Sequence, residues 1–310
     1  MPTPPQWTAE RTISVRDVAE LVEVFAPHLT GKPIVALAEG WDNAVFVVGG
    51  RWALRFPRRA VALPGILREI AVLPAIAPGL PLDVPVPELV GNDLHPSDPW
   101  PFTGARLIVG QELAEADPPD TARNAIAAAL GGFLRTLHNP AARDAAVATG
   151  TDLAVDPMQR GWPRSRLTQT RDDLQRVVAS GAWDGNPATT ALLDRAGELA
   201  PPPTEPVLVH GDLHVRHILV NDHGAATGVI DWGDLCLADP SVDLAIAYAA
   251  FDETARDALL TTYGPISGDT ELRARAFAVR ISVLLAGYAI RDHRPRLLRE
   301  ALRGLDRASG

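Results

Sequence analysis

Near residue 110 the chain changes its hydrophobic period, and that change limits the fold more than any single motif does. Upstream, apolar residues alternate in short runs, and "PIVALAEGWDNAVFVVGGRWALRFPRR" predicts strands over 34–38, 44–48 and 52–56. The last two are joined by Gly49-Gly50, a dipeptide that accepts the positive φ angles of a tight hairpin. A helix is expected from Val15 to Phe25, stopped near Pro27. "LPGILREIAVLPAIAP" reads as another, with Leu67, Ile70, Ala71 and Leu73 on its apolar face and Pro74 or Pro78 ending it. After the proline-rich "PLDVPVPELVG", the run "PFTGARLIVGQEL" predicts a further pair of strands. Downstream, "TARNAIAAALGGFLRTLHNP", "SRLTQTRDDLQRVVASG" and "PATTALLDRAGELA" follow helical spacing up to the breaker "PPPTEP", and three more helical runs occupy 240–292. The expected class is α+β, with a small antiparallel sheet first and a larger, mainly helical part after it.

At 310 residues the chain can bury one large core or two moderate ones. A composition of 46% hydrophobic and 22% charged residues argues against intrinsic disorder. A net charge of −9 without a basic run lacks the electrostatic footprint of a nucleic-acid partner. The start "MPTPPQWTAERTISVRD" has neither a basic nor an apolar leader region, and the single Cys236 cannot form an internal disulfide, so a cytoplasmic protein is expected. No membrane partner is expected either, because the run "FAVRISVLLAGYAI" is shorter than the roughly 18 residues a span needs and Arg280 interrupts it.

One β-like unit, "PVLVHGDLHVRHILVNDHGAATGVIDW", interrupts the helices. Asp212 lies in a loop after "VLV", His217 opens "ILV" five residues later, and Asp231 ends "GVI". This spacing matches the catalytic loop and metal-binding turn of protein kinases. Phosphoryl transfer spreads negative charge over the equatorial oxygens. A divalent cation must therefore be pinned by hard ligands while a carboxylate orients the incoming hydroxyl in line.

"HGDLHVRHILV" followed by "GVIDWGDLCLADPSVDLA" resembles the aminoglycoside phosphotransferase family of kinase-like enzymes, and its motifs are most like those of the macrolide phosphotransferases, which also carry histidine where asparagine is usual. The resemblance implies a two-lobed protein-kinase-like fold, with an N-terminal lobe over 1–107 and a helical C-terminal lobe over 108–310. It implies Asp212 as catalytic base, Asp231 and His217 as positions for Mg2+, Asp239 and Asp243 as structural acids, and His210 as a brace of the loop. ATP or GTP would be the donor. Kinases place a basic residue on the third strand and a glutamate on the next helix; here these are Arg55 and Glu69. Arginine in place of the usual lysine exchanges a point charge for a planar fork. Gly40, Ile108 and Val109 complete the expected nucleotide contacts.

Several duller readings stand beside these. Asp212 suits a turn, Arg55 and Glu69 suit a surface ion pair, His217 suits a water-mediated role, His138 suits a helix end, and His214 has no assignment. Only "WGDLCLA" separates Asp231 from Asp239, too little for a segment that carries a protein substrate, so a small-molecule acceptor is expected. Asp234, with Asp252 and Glu253, supplies acids for it, and the last helices supply apolar surface. An antibiotic is the expected acceptor, macrolide first and aminoglycoside second, with a metabolic sugar or amino alcohol as a further class. A nucleotide-binding pseudokinase competes because the lysine and asparagine positions are altered, and the intact Asp212 and Asp231 argue against it.

Overall fold

The computed structural model describes residues 9–40, 42–93, 95, 97–202 and 205–310. The first eight residues, Trp41 of the expected nucleotide loop, and Pro203 and Thr204 of the expected breaker lie outside them.

Ser14 and Asp17 cap each other's backbone at the start of α1 (Val15–Phe25), whose Val18, Leu21 and Val22 are buried. A five-stranded antiparallel sheet follows in the order β1-β2-β3-β5-β4, with β1 Ile34–Glu39, β2 Asn43–Val48, β3 Trp52–Pro57, β4 Leu89–Asn92 and β5 Pro101–Arg106. Alternation sorts the faces. Ala44, Phe46 and Val48 of β2 and Trp52, Leu54 and Phe56 of β3 share a core with α1. Arg55, opposite Val45, is thereby turned to the other face, toward the second lobe.

The two expected strands of "PFTGARLIVGQEL" do not pair with each other. β5 lies between β3 and β4, while β6 (Gln111–Glu112) joins another sheet beside β8 (Ile218–Val220) and β9 (Ala226–Val229). The connection over 107–110 is where the chain leaves one lobe's sheet for the other's. β4 sits at the sheet edge, directly after the proline-rich stretch, where Pro85 and Pro87 precede the ladder rather than interrupt it.

Helix α2 (Leu63–Ile76) reaches the later of its two expected stops and differs from expectation in its face. Pro74 lies within its last turn and does not stop it; the helix tightens instead into a 3-10 turn at Ala77–Gly79 that contains Pro78. Ile66, Glu69, Val72, Leu73 and Ile76 are buried, and Leu67 is 56% exposed. The rotation follows from Gly65, where a Cβ would meet the carbonyl oxygen of Gly233 at 2.7 Å. Contrary to the expectation that no apolar run reaches the length of a span, Ala60–Gly79 is long and apolar enough to cross a membrane by length and composition. In this fold it carries the buried Glu69 and packs on β5 and on α5 (Pro140–Ala148).

After the short α3 (Leu113–Ala116), the second lobe is built from α4 (Asn124–Leu137), α5, α6 (Leu167–Ala179), α7 (Pro187–Gly197), α8 (Ser241–Ala250), α9 (Glu253–Tyr263), α10 (Gly268–Arg291) and α11 (Pro295–Ser309). α4 packs on α9, and α10 packs on α8 and α11, around one large apolar core. Arg123 and Glu300, both buried, lock the start of α4 to α11 through contacts of 2.6 and 2.9 Å. Two small β units interrupt the helices. β7 (Val207–Val209) pairs with β10 (Cys236–Ala238), and β8 pairs with β9. The loops over 210–217 and 230–235 therefore leave neighbouring strands together and face Arg55.

Candidate active site

The loop after β7 is forced into shape by its glycine and by an acid beneath it. Gly211 has φ +88°, and a Cβ there would lie 2.3 Å from the Asp234 carbonyl oxygen. Asp243, in the first turn of α8, is fully buried and accepts from the backbone N–H groups of His210 (2.7 Å) and Gly211 (3.0 Å). His138 caps the C-terminal end of α4 as expected, but it is buried, and its Nε2 lies 3.2 Å from the same carboxylate. His210 spans the two loops: its Nε2 donates to Ile230 O at 2.9 Å, and its Nδ1 accepts from the Asp212 N–H at 3.2 Å. Burial holds its pKa below the usual histidine value, so it braces the loop as a neutral ring.

Asp212 is presented by this brace with its side chain one-third exposed. His217, 8% exposed, turns back from the start of β8 and donates Nδ1–H to the Asp212 carbonyl at 2.8 Å. A carbonyl can only accept, so the neutral ring carries its lone pair on Nε2. That lone pair faces Asp231 Oδ2 at 3.4 Å. Two lone-pair donors facing each other at this distance suit a cation or a proton between them, and with phosphate oxygens they suit a divalent metal; Asp231 and His217 thus fit Mg2+ as a pair. Asp231 holds φ +65°, a left-handed conformation that aims its carboxylate out of the turn.

Arg55 closes the arrangement from the sheet. Its Nη1 donates to both Glu69 oxygens at 2.6 and 2.7 Å, and its Nη2 donates to Asp231 Oδ1 at 2.8 Å. The pair is no surface contact, since Glu69 is 2% exposed. Burial works against the guanidinium charge, but Glu69 and Asp231 outweigh it and hold Arg55 above its ordinary pKa. For Asp231, whose side chain is 48% exposed, partial desolvation by the surrounding protein opposes ionisation, yet Arg55 and then His217 keep the carboxylate well below its usual range. Arg68 Nη2 donates to Gly233 O at 2.7 Å and ties α2 to the same turn.

Arg55, Glu69, Asp231, His217 and Asp212 form one connected cluster, which Arg160 extends to Asp234, whereas Gly40, Ile108 and Val109 have their contacts elsewhere among the described residues. Gly40 is exposed, and its carbonyl accepts from Arg58. Val109 is 75% exposed on the connection between the lobes, and Ile108 packs near Gly228. Asp234 does not stand as a free acid, because Arg160 Nη2 donates to it at 2.7 Å. Asp252 caps α9 through the Ala255 N–H, with Glu253 opening that helix.

Three further participants carry no role in the motif. Arg160 donates to Gly211 O at 2.7 Å and reaches within 3.7 Å of Asp212 Oδ1. The Asn43 amide, turned to present its oxygen, accepts from Arg55 Nη2 at 2.8 Å. His214 lies with Nε2 3.7 Å from Asp212 Oδ2. Two of the three stand in no motif, and their partners are distant in sequence.

A two-lobed α+β fold in which two acid-bearing loops face a strand-borne arginine is that of a kinase-like phosphotransferase. The chain belongs to the phosphotransferase enzyme family (APH), whose model matches residues 33–277. It is 32% identical over 166 residues to the aminoglycoside 3'-phosphotransferase of Streptomyces fradiae, a match spanning 53% of this chain and 58% of that one. The wild-type aminoglycoside 2'-phosphotransferase-IIIa, solved with GDP, superposes with a TM-score of 0.66 at 22% identity, covering 94% of this chain and 97% of the other. The macrolide 2'-phosphotransferase MphH from Brachybacterium faecium superposes with a TM-score of 0.58 at 25% identity, covering 92% and 97%.

Proposed function

We propose that this protein transfers the γ-phosphate of ATP or GTP to a hydroxyl of a small antibiotic in the cytoplasm. The observation that carries the proposal is the convergence of Asp212, His217, Asp231 and Arg55 on one point between the lobes. In this reading 1–107 forms the nucleotide-binding lobe and 108–310 the catalytic lobe. Asp212 accepts the proton of the acceptor hydroxyl, and His210, Asp243 and Arg160 hold its loop in place. Asp231 and His217 hold Mg2+, which when bound neutralises charge on the phosphate oxygens. Arg55, oriented by Glu69, contributes positive charge beside the phosphates. Gly40, Ile108 and Val109 serve as backbone and apolar contacts to the nucleotide, and Asp234 faces the acceptor side.

For the acceptor, a macrolide is the first choice. Arg160 lies against both Asp212 and Asp234, which reduces the free negative charge offered to a polycation. Beside it Arg166 and Arg280, with Trp162 and Phe277, line a narrow crevice of about 20 Å³, which adds cations and no room for a ring. An acceptor with one amine suits this surface better than one with several amines, and the motif resemblance supports a macrolide. The similarity to the Streptomyces fradiae enzyme supports the aminoglycoside as the second reading. A metabolic sugar or amino alcohol comes after it, and a pseudokinase last.

The test is mass spectrometry of a macrolide and aminoglycoside panel incubated with the protein, Mg2+ and either nucleotide. A gain of one phosphate on a macrolide is expected, with the rate falling ~10²- to 10⁴-fold in Asp212→Asn, the usual worth of a general base. Modification of aminoglycosides alone moves the reading to the second class, and no modification of either rejects both of these acceptor classes.

A further inference from the structure

We propose that Asp212, His214 and His217 form a site for a borderline-soft divalent cation such as zinc, sharing only His217 with the magnesium position, and that filling it blocks transfer. One ligand atom from each of the three residues lies within 4.8 Å of the others. All three stand on one loop as Asp-x-His-x-x-His, so the site needs no movement of the lobes. Both histidines are 8% exposed, and their rings lie 3.7 Å apart at a 30° tilt.

Ligation needs the two stacked rings to splay, and the hydrogen bonds leave each a nitrogen for it. His217 gives Nδ1–H to a backbone carbonyl and keeps its Nε2 lone pair forward, the arrangement that fixes metal-binding histidines elsewhere. His214 Nε2 and Asp212 Oδ2 are 3.7 Å apart, too far for a hydrogen bond, so this contact leaves both atoms unsatisfied by each other. Ligation through His214 Nε2 moves that ring's proton to Nδ1 and gives up only the long contact from the Arg216 N–H at 3.3 Å. Arg160 and Arg216 oppose entry; Arg160 lies on the Oδ1 side of Asp212 and is held there by Asp234, and Arg216 is held by Glu112. Oδ2 faces the histidines.

Two imidazoles and a carboxylate are a donor set for zinc, not for magnesium, which prefers oxygen and keeps its waters. Excess magnesium therefore does not clear the site. A cation drawn to Oδ2 takes the lone pairs with which Asp212 would orient a hydroxyl. The inhibition rests on Asp212 being the base, whereas the binding does not.

Cobalt(II) titration of the full chain, followed by visible absorption, reads the binding directly. One cobalt per chain with the intense bands of a low-coordinate site is expected, displaced by zinc, and absent from His214→Ala and His214→Gln when circular dichroism shows both variants folded. In the transfer assay with millimolar magnesium, zinc should inhibit and a chelator restore. His214→Gln should raise the half-inhibitory zinc concentration at least about tenfold, the scale on which even an outer partner of a ligand matters. Bands that never form, or that survive in both variants, overturn the site. Zinc that binds but leaves the rate unchanged overturns the inhibition. An Asp212→Asn variant that loses cobalt yet transfers phosphate at the native rate overturns the base assignment and leaves the site standing.

Discussion

Arg55 and Asp231 meet at 2.8 Å, Nη2 to Oδ1, and this contact divides the Asp231 carboxylate between two tasks. Oδ1 is held by the guanidinium, and Oδ2 is left facing His217 Nε2 at 3.4 Å. A cation entering between Oδ2 and the imidazole need not displace the arginine. Lysine in this position has one ammonium and could not grip both Glu69 oxygens while reaching Asp231, so the arginine fork suits a site in which strand, helix and turn are joined through one side chain.

Removing the guanidinium alone strands a buried carboxylate. Arg55→Met should destabilise the protein by about 3 kcal/mol, within the range for breaking one side of a buried pair, while Arg55→Met combined with Glu69→Met should recover most of that loss. Urea denaturation of the two single variants and the double variant gives the coupling. Strictly additive losses would mean that the two residues do not act as a pair.

Asp231→Ala takes away the one charged ligand of the proposed magnesium position. Nucleotide binding measured by calorimetry should then no longer respond to magnesium, and transfer should fall to background. Because Arg55 stays anchored by Glu69 at 2.6 Å, nucleotide affinity without metal should change little. A preserved magnesium response would move the metal away from Asp231.

Local pattern made part of this visible in the sequence. β1, β2 and β3 fall within a residue of the expected strands, because alternation and the Gly49-Gly50 turn, with φ of +59° and +68°, are local signals. The Asp212, His217 and Asp231 spacing lies within one hairpin and was equally legible. The rotation of α2 was not, since it is set by Gly65 against Gly233, a contact between lobes. Arg160 was hidden for the same reason: its partners Gly211 and Asp234 are 51 and 74 residues away, and nothing in "DPMQRGWPRSR" distinguishes it from a surface arginine. β4 depends on β5 for its pairing, and flanking prolines disguised it.

Burial holds His210 below the ordinary histidine pKa of 6.5 and His214 well below it, so folding keeps both rings neutral. In the unfolded chain they take up protons as pH falls through that value, and the folded state does not follow until lower pH. Stability should therefore be level above pH 6.5 and decline below it. Urea midpoints from about pH 7.5 to about pH 5.5 follow the decline, which His214→Gln should make shallower because glutamine does not titrate. An unchanged slope in that variant would show that His214 is not the group being charged.

His217 raises the question of how a magnesium position works with an imidazole where an amide oxygen is usual. Its Nδ1 is committed to the Asp212 carbonyl, so the ring contributes Nε2 and also ties the proposed base to the proposed metal ligand through 2.8 and 3.4 Å contacts. Neutral imidazole is a softer ligand than a carbonyl oxygen, so magnesium should depend mainly on Asp231 and the phosphates. His217→Asn should therefore stay active and need no more magnesium than the native enzyme, because the amide restores a hard oxygen. His217→Ala should need more magnesium and turn over more slowly, since it removes the ligand and frees the Asp212 carbonyl together. Magnesium titration of the transfer rate for the three proteins separates these cases. If alanine matches the native enzyme at every magnesium concentration, Asp231 alone holds the metal and His217 serves only to hold the loop.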